Sequence, residues 1–207
     1  MTESPSEICE ECASLPTADM LRVLIRDKFP GRTVVTASLR APSLVVLKMI
    51  ADIDPNIPVV FCQRGAMFDE SLKYRKRIEE FLGLTNISMT HGGEREILPG
   101  DLDHAERMWI DSQDGSGRVY EVVHLNETLA DHDCWISAVY HIGWPPQGQH
   151  RLDVEGRLVR VDPLVRWNKT DVQKFMRANK IPFHPRAFRP TPTEIVDDSP
   201  PPPSYHF

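Results

Sequence analysis

No stretch of this 207-residue chain comes near the roughly 20 consecutive apolar residues that a membrane-spanning helix requires. A secretory leader pattern is also missing, because residues 1–11 are acidic and polar where such a leader has a basic start and an apolar core. Positive charge is not in excess. With 24 Lys and Arg against 30 Asp and Glu, the formal net charge is -6, which argues against non-specific nucleic-acid binding but allows a local basic pocket. Cysteine is scarce: Cys9, Cys12, Cys62 and Cys134 are the whole set, and none follows Cys134. The expected compartment is the cytoplasm, where thiols stay reduced, so structural disulfides are not expected. The eight histidines are scattered and show no metal-ligand spacing. There is no internal repeat.

What is present is the composition of a globular domain, 41% hydrophobic and 26% charged, long enough to bury a two-sided sheet. Residues 1–16 are polar and read as a flexible arm. Thr17 reads as a helix N-cap, with Met20, Leu21, Leu24 and Ile25 at helical spacing, before Pro30-Gly31 ends the element. Residues 33–37 are a β-branched strand, 44–51 a helix apolar nearly all round, and 58–62 a continuous apolar strand. Asp69 starts a helix carrying Leu72, Ile78, Phe81 and Leu82, which Gly83 ends. Further strands are expected at 87–90, 135–140 and 158–161, and a last helix capped by Thr170 carries Val172, Phe175 and Met176. Apolar strands alternating with helices predict an α/β fold: a doubly wound, mainly parallel five-stranded sheet with helices on both faces. Residues 91–118 read as a loop-rich insertion with one short helix around 103–110. The main domain is expected over 17–185. Residues 186–207, with Pro190, Pro192 and Pro200 to Pro203, read as a disordered Pro-rich tail.

In open parallel sheets, ligands bind beyond the carboxyl ends of the strands, where strand order reverses. The first strand passes into Ser38-Leu39-Arg40-Ala41-Pro42-Ser43 and directly into a helix. That turn gathers hydroxyls and backbone N–H groups at a helix N-terminus, where the dipole and unpaired donors attract anions. Arg40 adds a planar guanidinium suited to phosphate. The same pattern also fits an ordinary strand-to-helix turn capped by Ser.

The segment from Ser38 through Leu47 resembles the pyrophosphate loop of the adenine nucleotide alpha-hydrolase-like superfamily. The next strand and turn, Ile57-Pro58-Val59-Val60-Phe61-Cys62-Gln63-Arg64-Gly65-Ala66-Met67-Phe68-Asp69-Glu70, is similar to a stretch of the phosphoadenosine phosphosulfate (PAPS) reductase family, a member of that superfamily. Ala130-Asp131-His132-Asp133-Cys134-Trp135-Ile136-Ser137 resembles the strand that precedes that family's paired arginines. The chain from Gly156 to Trp167 and from Asp171 to Pro185 resembles its final strand and helix. The resemblance covers 17–185 and implies a sulfur-metabolism oxidoreductase or transferase that binds an adenine nucleotide. It implies that Ser38, Leu39, Arg40 and Ser43 line the phosphates and that Gln63, Arg64 and Gly65 border the adenosine. Phe68 and Glu70 have either a ligand role or a helix-start packing and capping role.

The chain departs from the family at its chemistry. The family's C-terminal nucleophilic cysteine has no counterpart after Cys134, and only a thiolate attacks the sulfur. The four thiolates of the iron–sulfur subfamily are also without counterparts, so no iron–sulfur cluster is expected. The paired arginines become Tyr140-His141, the acidic residue after the second strand is Gln63, and the loop glycine is Arg40. His141 is the candidate catalytic polar group. Cys9-Glu10-Glu11-Cys12 reads as a redox dithiol, half a zinc site or an incidental pair, and its acidic neighbours work against a reactive thiol. Cys62 and Cys134 read as buried apolar groups. Three functions stay open: a PAPS reductase-family nucleotide binder, an ATP-dependent adenylyl transferase with Mg2+ near Asp69 and Glu70, and a non-catalytic nucleotide-binding interaction protein. The Pro-rich tail is a candidate docking segment for a protein partner. A homodimer is compatible with the sequence, and no membrane partner is expected.

Overall fold

Thr33–Ala37 is buried at every position and forms β1, a central strand of a six-stranded sheet. The computed structural model describes residues 3–63, 69–91, 94–97, 109–111, 119–138, 150–184 and 205–206. Along the chain these give α1 (Pro5–Cys12), α2 (Thr17–Val23, continued by a π-turn over Leu24–Lys28), β1, α3 (Ala41–Ala51), β2 (Val59–Gln63) and α4 (Asp69–Leu82). There follow β3 (Ile87–His91), β4 (Glu94–Ile97), β5 (Trp109–Asp111), β6 (Val119–Val122), α5 (Val123–Ala130) and β7 (Cys134–Ser137). The last elements are β8 (Leu152–Glu155), β9 (Leu158–Val161), α6 (Lys169–Ala178) and β10 (Tyr205–His206).

The main sheet runs β3-β2-β1-β7-β9-β8. Its first five strands are parallel, and β8 lies antiparallel at the edge. The expected doubly wound, mainly parallel sheet is therefore present. The count is six rather than five because Leu152–Glu155 pairs with Leu158–Val161 in a hairpin. Gly156 turns that hairpin at φ +63°, a conformation that costs glycine nothing. The sequence hid β8 because Asp153 and Glu155 interrupt its apolar character; both pair with Arg160 on β9, at 3.0 and 3.1 Å.

Both faces of the sheet are covered. Val35, Ile136 and Val161 share one register line and Val34, Trp135 and Arg160 the next, and all six are buried. α3 is buried from Pro42 to Leu47 and again at Met49 and Ile50, as a helix apolar nearly all round must be. It contacts β1, α2, α4 and α6. α6 starts one cap earlier than expected: Asn168, not Thr170, accepts the N–H groups of Thr170 and Asp171, and Asp171 returns a bond to Asn168 N–H. At the start of α2 the N-cap is Pro16, and Thr17 is already helical.

The expected flexible arm is corrected over Pro5–Cys12. Ser4 and Glu7 form a reciprocal capping box, and Pro5 presets the first turn. Ile8 and Cys12, one turn apart, bury themselves against β8 and β9. Lys28 ties the segment down through Glu3 at 2.8 Å and Glu11 at 2.6 Å.

The loop-rich reading of 91–118 is corrected at its described strands, Glu94–Ile97 and Trp109–Asp111. β4, β5 and β6 form an antiparallel sheet, with β10 from the tail at its edge beside β5. Trp109 and Ile110 are in a strand, not the expected helix, while 103–108 lie outside the described residues. Tyr205–His206 is the described part of the Pro-rich tail; residues 186–204 and 207 lie outside the described residues. The last described part of the expected main domain is docked onto α4. The Ser71 Oγ lies 3.0 Å from His184 Nε2, and the Tyr74 hydroxyl donates to the Pro182 carbonyl at 2.7 Å. Among the described residues no helix is long and apolar enough to cross a membrane.

Candidate nucleotide site at the switch point of the sheet

Strand order reverses between β1 and β7. The chain leaves β1 toward β2 on one side and returns as β7 on the other, so a crevice opens at their carboxyl ends. There Thr36 is paired with Ser137, and Ala138 N–H donates to the Thr36 carbonyl at 2.8 Å. The turn 38–40 leaves β1 at this point and enters α3.

The turn is organised by its own hydroxyls. Ser38 N–H donates to Ser43 Oγ at 2.7 Å, and Arg40 N–H donates to Ser38 Oγ at 3.3 Å. Arg40 is the N-cap of α3 in extended conformation, its carbonyl accepts the Leu44 N–H, and no side chain caps the first turn. The positive end of an 11-residue helix is thus presented beside the crevice.

Of the expected phosphate-facing residues, Ser38 and Arg40 are half-buried, whereas Leu39 and Ser43 are buried at 6% and 1% exposure. Leu39 belongs to the hydrophobic core, so only its backbone is available to a ligand. Ser43 braces the turn from behind through Ser38. Gln63 closes β2 on the same edge of the sheet, two residues past the Phe61 that pairs with Ala37. Asp69 and Glu70 are exposed in the first turn of α4. Arg64, Gly65, Phe68 and His141 lie outside the described residues.

One polar group at the crevice escaped sequence reasoning. Ser137, the last residue of β7, is 3% exposed, and among the described residues its Oγ has no hydrogen-bond partner. Its neighbour Thr36 is satisfied, accepting Trp135 Nε1–H at 2.9 Å. A hydroxyl buried without a partner costs free energy until something bonds it. The signal in the sequence was a serine closing a buried run, Cys134-Trp135-Ile136-Ser137, at the end of the strand where ligands bind.

The described thiols are elsewhere. Cys134 opens β7 at the opposite, amino end of the strand, paired with Thr33. Burial pushes its thiol up to about 12, and burial also pushes Cys9 up to about 11, with Cys12 and Asp153 adding repulsion. Cys12 is raised mainly by burial, ahead of the acidic neighbour Glu11. These are protonated, inert thiols at neutral pH. Among the described residues no three His, Cys, Asp or Glu side chains form a group that could hold a metal ion.

Comparison with known proteins agrees with this architecture. An adenosine 5'-phosphosulfate reductase of Chelativorans is 26% identical over 156 residues, covering 75% of this chain and 63% of that protein. One of Mesorhizobium japonicum is 27% identical over 161 residues, with 77% and 63% covered. A phosphoadenosine 5'-phosphosulfate reductase of Alkalilimnicola ehrlichii is 26% identical over 163 residues, with 76% and 66% covered. The chain therefore spans about two thirds of the length of these relatives. The crystal structure of a PAPS reductase from Candida auris in its phosphate complex shares the fold, with TM-score 0.56, 14% identity and 87% of each chain covered. The model of the phosphoadenosine phosphosulfate reductase domain matches residues 32–189, from β1 through α6, and the chain belongs to that family.

Proposed function

We propose that this chain binds an adenosine phosphosulfate-type nucleotide across the carboxyl ends of β1 and β7. The single observation that carries the reading is the turn 38–43, which presents a helix end without a side-chain cap beside the Ser137 hydroxyl, itself without a partner among the described residues, where strand order reverses. The names of the relatives, adenosine 5'-phosphosulfate and phosphoadenosine 5'-phosphosulfate reductases, support that nucleotide class. In this reading the Ser38 and Arg40 side chains and the first-turn amides of α3 hold the phosphates. Ser137 donates to an oxygen of the nucleotide, Ser43 and Leu39 fix the turn, and Gln63, Arg64 and Gly65 border the adenosine. Binding is assigned to these residues, and thiol reduction is not assigned to Cys9, Cys12 or Cys134, which are protonated, two of them fully buried; the Cys62 side chain lies outside the described residues.

Calorimetric titration with adenosine phosphosulfate, PAPS and ATP tests the reading. Arg40→Ala is expected to weaken nucleotide binding roughly tenfold or more, the size of a lost charge-assisted bond. Ser137→Ala is expected to weaken it by a smaller factor. Equal affinity in Arg40→Ala would overturn the assignment. Sulfite release that depends on a reductant would restore reduction to the chain. Pyrophosphate release from ATP with magnesium would favour adenylyl transfer, with Asp69 and Glu70 as the exposed carboxylates at hand.

A further inference from the structure

We infer that the cleft between α1 and the start of β8 binds a free, doubly charged tetrahedral oxyanion, sulfate or inorganic phosphate, held by Arg151 and Arg166. The inference is independent of the nucleotide site. The cleft measures about 400 Å³, and its lining includes Cys9, Glu10, His150, Arg151 and Arg166.

Arg151 is the anchor. It sits immediately before β8, its carbonyl accepts the Asp162 N–H, and its side chain folds under the link between α1 and α2. There one terminal nitrogen donates to the Leu15 carbonyl at 2.8 Å and the other to Thr17 Oγ1 at 3.3 Å. Both acceptors are neutral. The residue is only 6% exposed, and among the described residues its Nε has no hydrogen-bond partner and no carboxylate lies within ion-pair distance of it. A guanidinium cannot shed its charge as a lysine can, so a buried one to which the described residues offer no counter-charge favours the arrival of an anion.

The surroundings deepen that deficit. Arg166 brings a second, exposed guanidinium to the same cleft, and its repulsion joins burial in lowering the pKa of Arg151. His150 contributes a ring N–H donor. Cys9, raised to about 11, presents a neutral wall. Glu10 is the acidic residue among the described lining. Two fixed positive charges with donors on one cleft suit a compact dianion with acceptors on every side. An extended acidic chain has no such requirement for convergent donors.

The test uses the whole protein with uniform nitrogen-15 labelling, titrated with sodium sulfate and with sodium phosphate against sodium chloride at matched ionic strength. Both dianions are expected to shift the amide signals of Arg151, Leu152 and Arg166 in a saturable way, and chloride is not. Arg166 is exposed, so Arg166→Gln keeps the fold, as its signal dispersion will show. That variant is expected to weaken the response roughly tenfold, as loss of a charged donor should. Absence of saturable shifts at these amides, or an unchanged affinity in Arg166→Gln, overturns the inference. Shifts confined to the turn 38–43 also overturn it while leaving the nucleotide reading intact. Shifts at the cleft in a protein that ignores nucleotides support it and reject that reading.

Discussion

Thr36 and Trp135 show how single side chains set the geometry of the crevice. Both are fully buried, and the indole N–H uses the threonine hydroxyl as an acceptor across β1 and β7. Thr36→Val keeps the shape and removes that acceptor. It is expected to destabilise the protein by about 1–3 kcal/mol, the cost of stranding a buried donor, measurable by urea unfolding. Asp162 is a second residue whose surroundings make a measurable statement. Burial raises its pKa, the nearby Asp153 and Glu155 add to the rise, and Arg160 opposes it at 3.1 Å; the result is about 6. The ordinary value is 3.8, so the folded state prefers the protonated acid. Its contribution to stability is complete below about pH 4 and is lost as pH rises through about 6. Unfolding free energies measured from pH 4 to 7 should therefore lose part of their pH dependence in Asp162→Asn.

At the scale of elements, helix ends explain most of the local sequence choices. α4 stops at Gly83, whose φ of +69° closes a 3.2 Å bond from Leu84 N–H to the Glu79 carbonyl. α6 stops in the same way, with Ile181 N–H bonded to the Met176 carbonyl at 3.0 Å, but the left-handed position is Lys180 at φ +53°. A lysine there carries the steric penalty that glycine avoids. Lys180→Gly is expected to stabilise the protein by up to about 1 kcal/mol, read as a raised urea midpoint with unchanged slope. The segment beyond that turn is functional in a structural sense: Ile181 is buried, and His184 and Pro182 lock onto Ser71 and Tyr74 of α4.

At the scale of the molecule, α1 packs onto the β8–β9 hairpin at one end of the main sheet. The hairpin β8–β9 ends the sheet, and α1 packs against it through Ile8 and Cys12, within the same core as α2, α3, α4 and α6. Ile8→Ala is expected to cost about 2–4 kcal/mol of global stability, the usual loss for an isoleucine truncated in a core. A loosely attached arm would show almost no change in the same urea experiment. The same helix supplies Cys9 and Glu10 to the lining of the Arg151 cleft, so fold and anion site depend on it together.

The sequence by itself determined the elements whose pattern is local. The five parallel strands, the all-round apolar α3 and the Gly83 stop each follow from periodicity or from a single residue's backbone preference, and the turn at 38–43 was legible because hydroxyls, an arginine and a proline meet between a strand and a helix. Tertiary structure decided what depends on partners distant in the chain. Asp153 and Glu155 belong to a strand only because Arg160 neutralises them from β9, and residues 5–12 form a packed helix only because an edge strand offers Ile8 and Cys12 a surface. It also divided the turn's residues by burial, leaving Ser38 and Arg40 half-buried and turning Ser43 inward, and it set Ser137 beside them across the β1–β7 pairing. Periodicity reports a residue's own neighbours along the chain, whereas burial and charge compensation are properties of residues that only folding brings together.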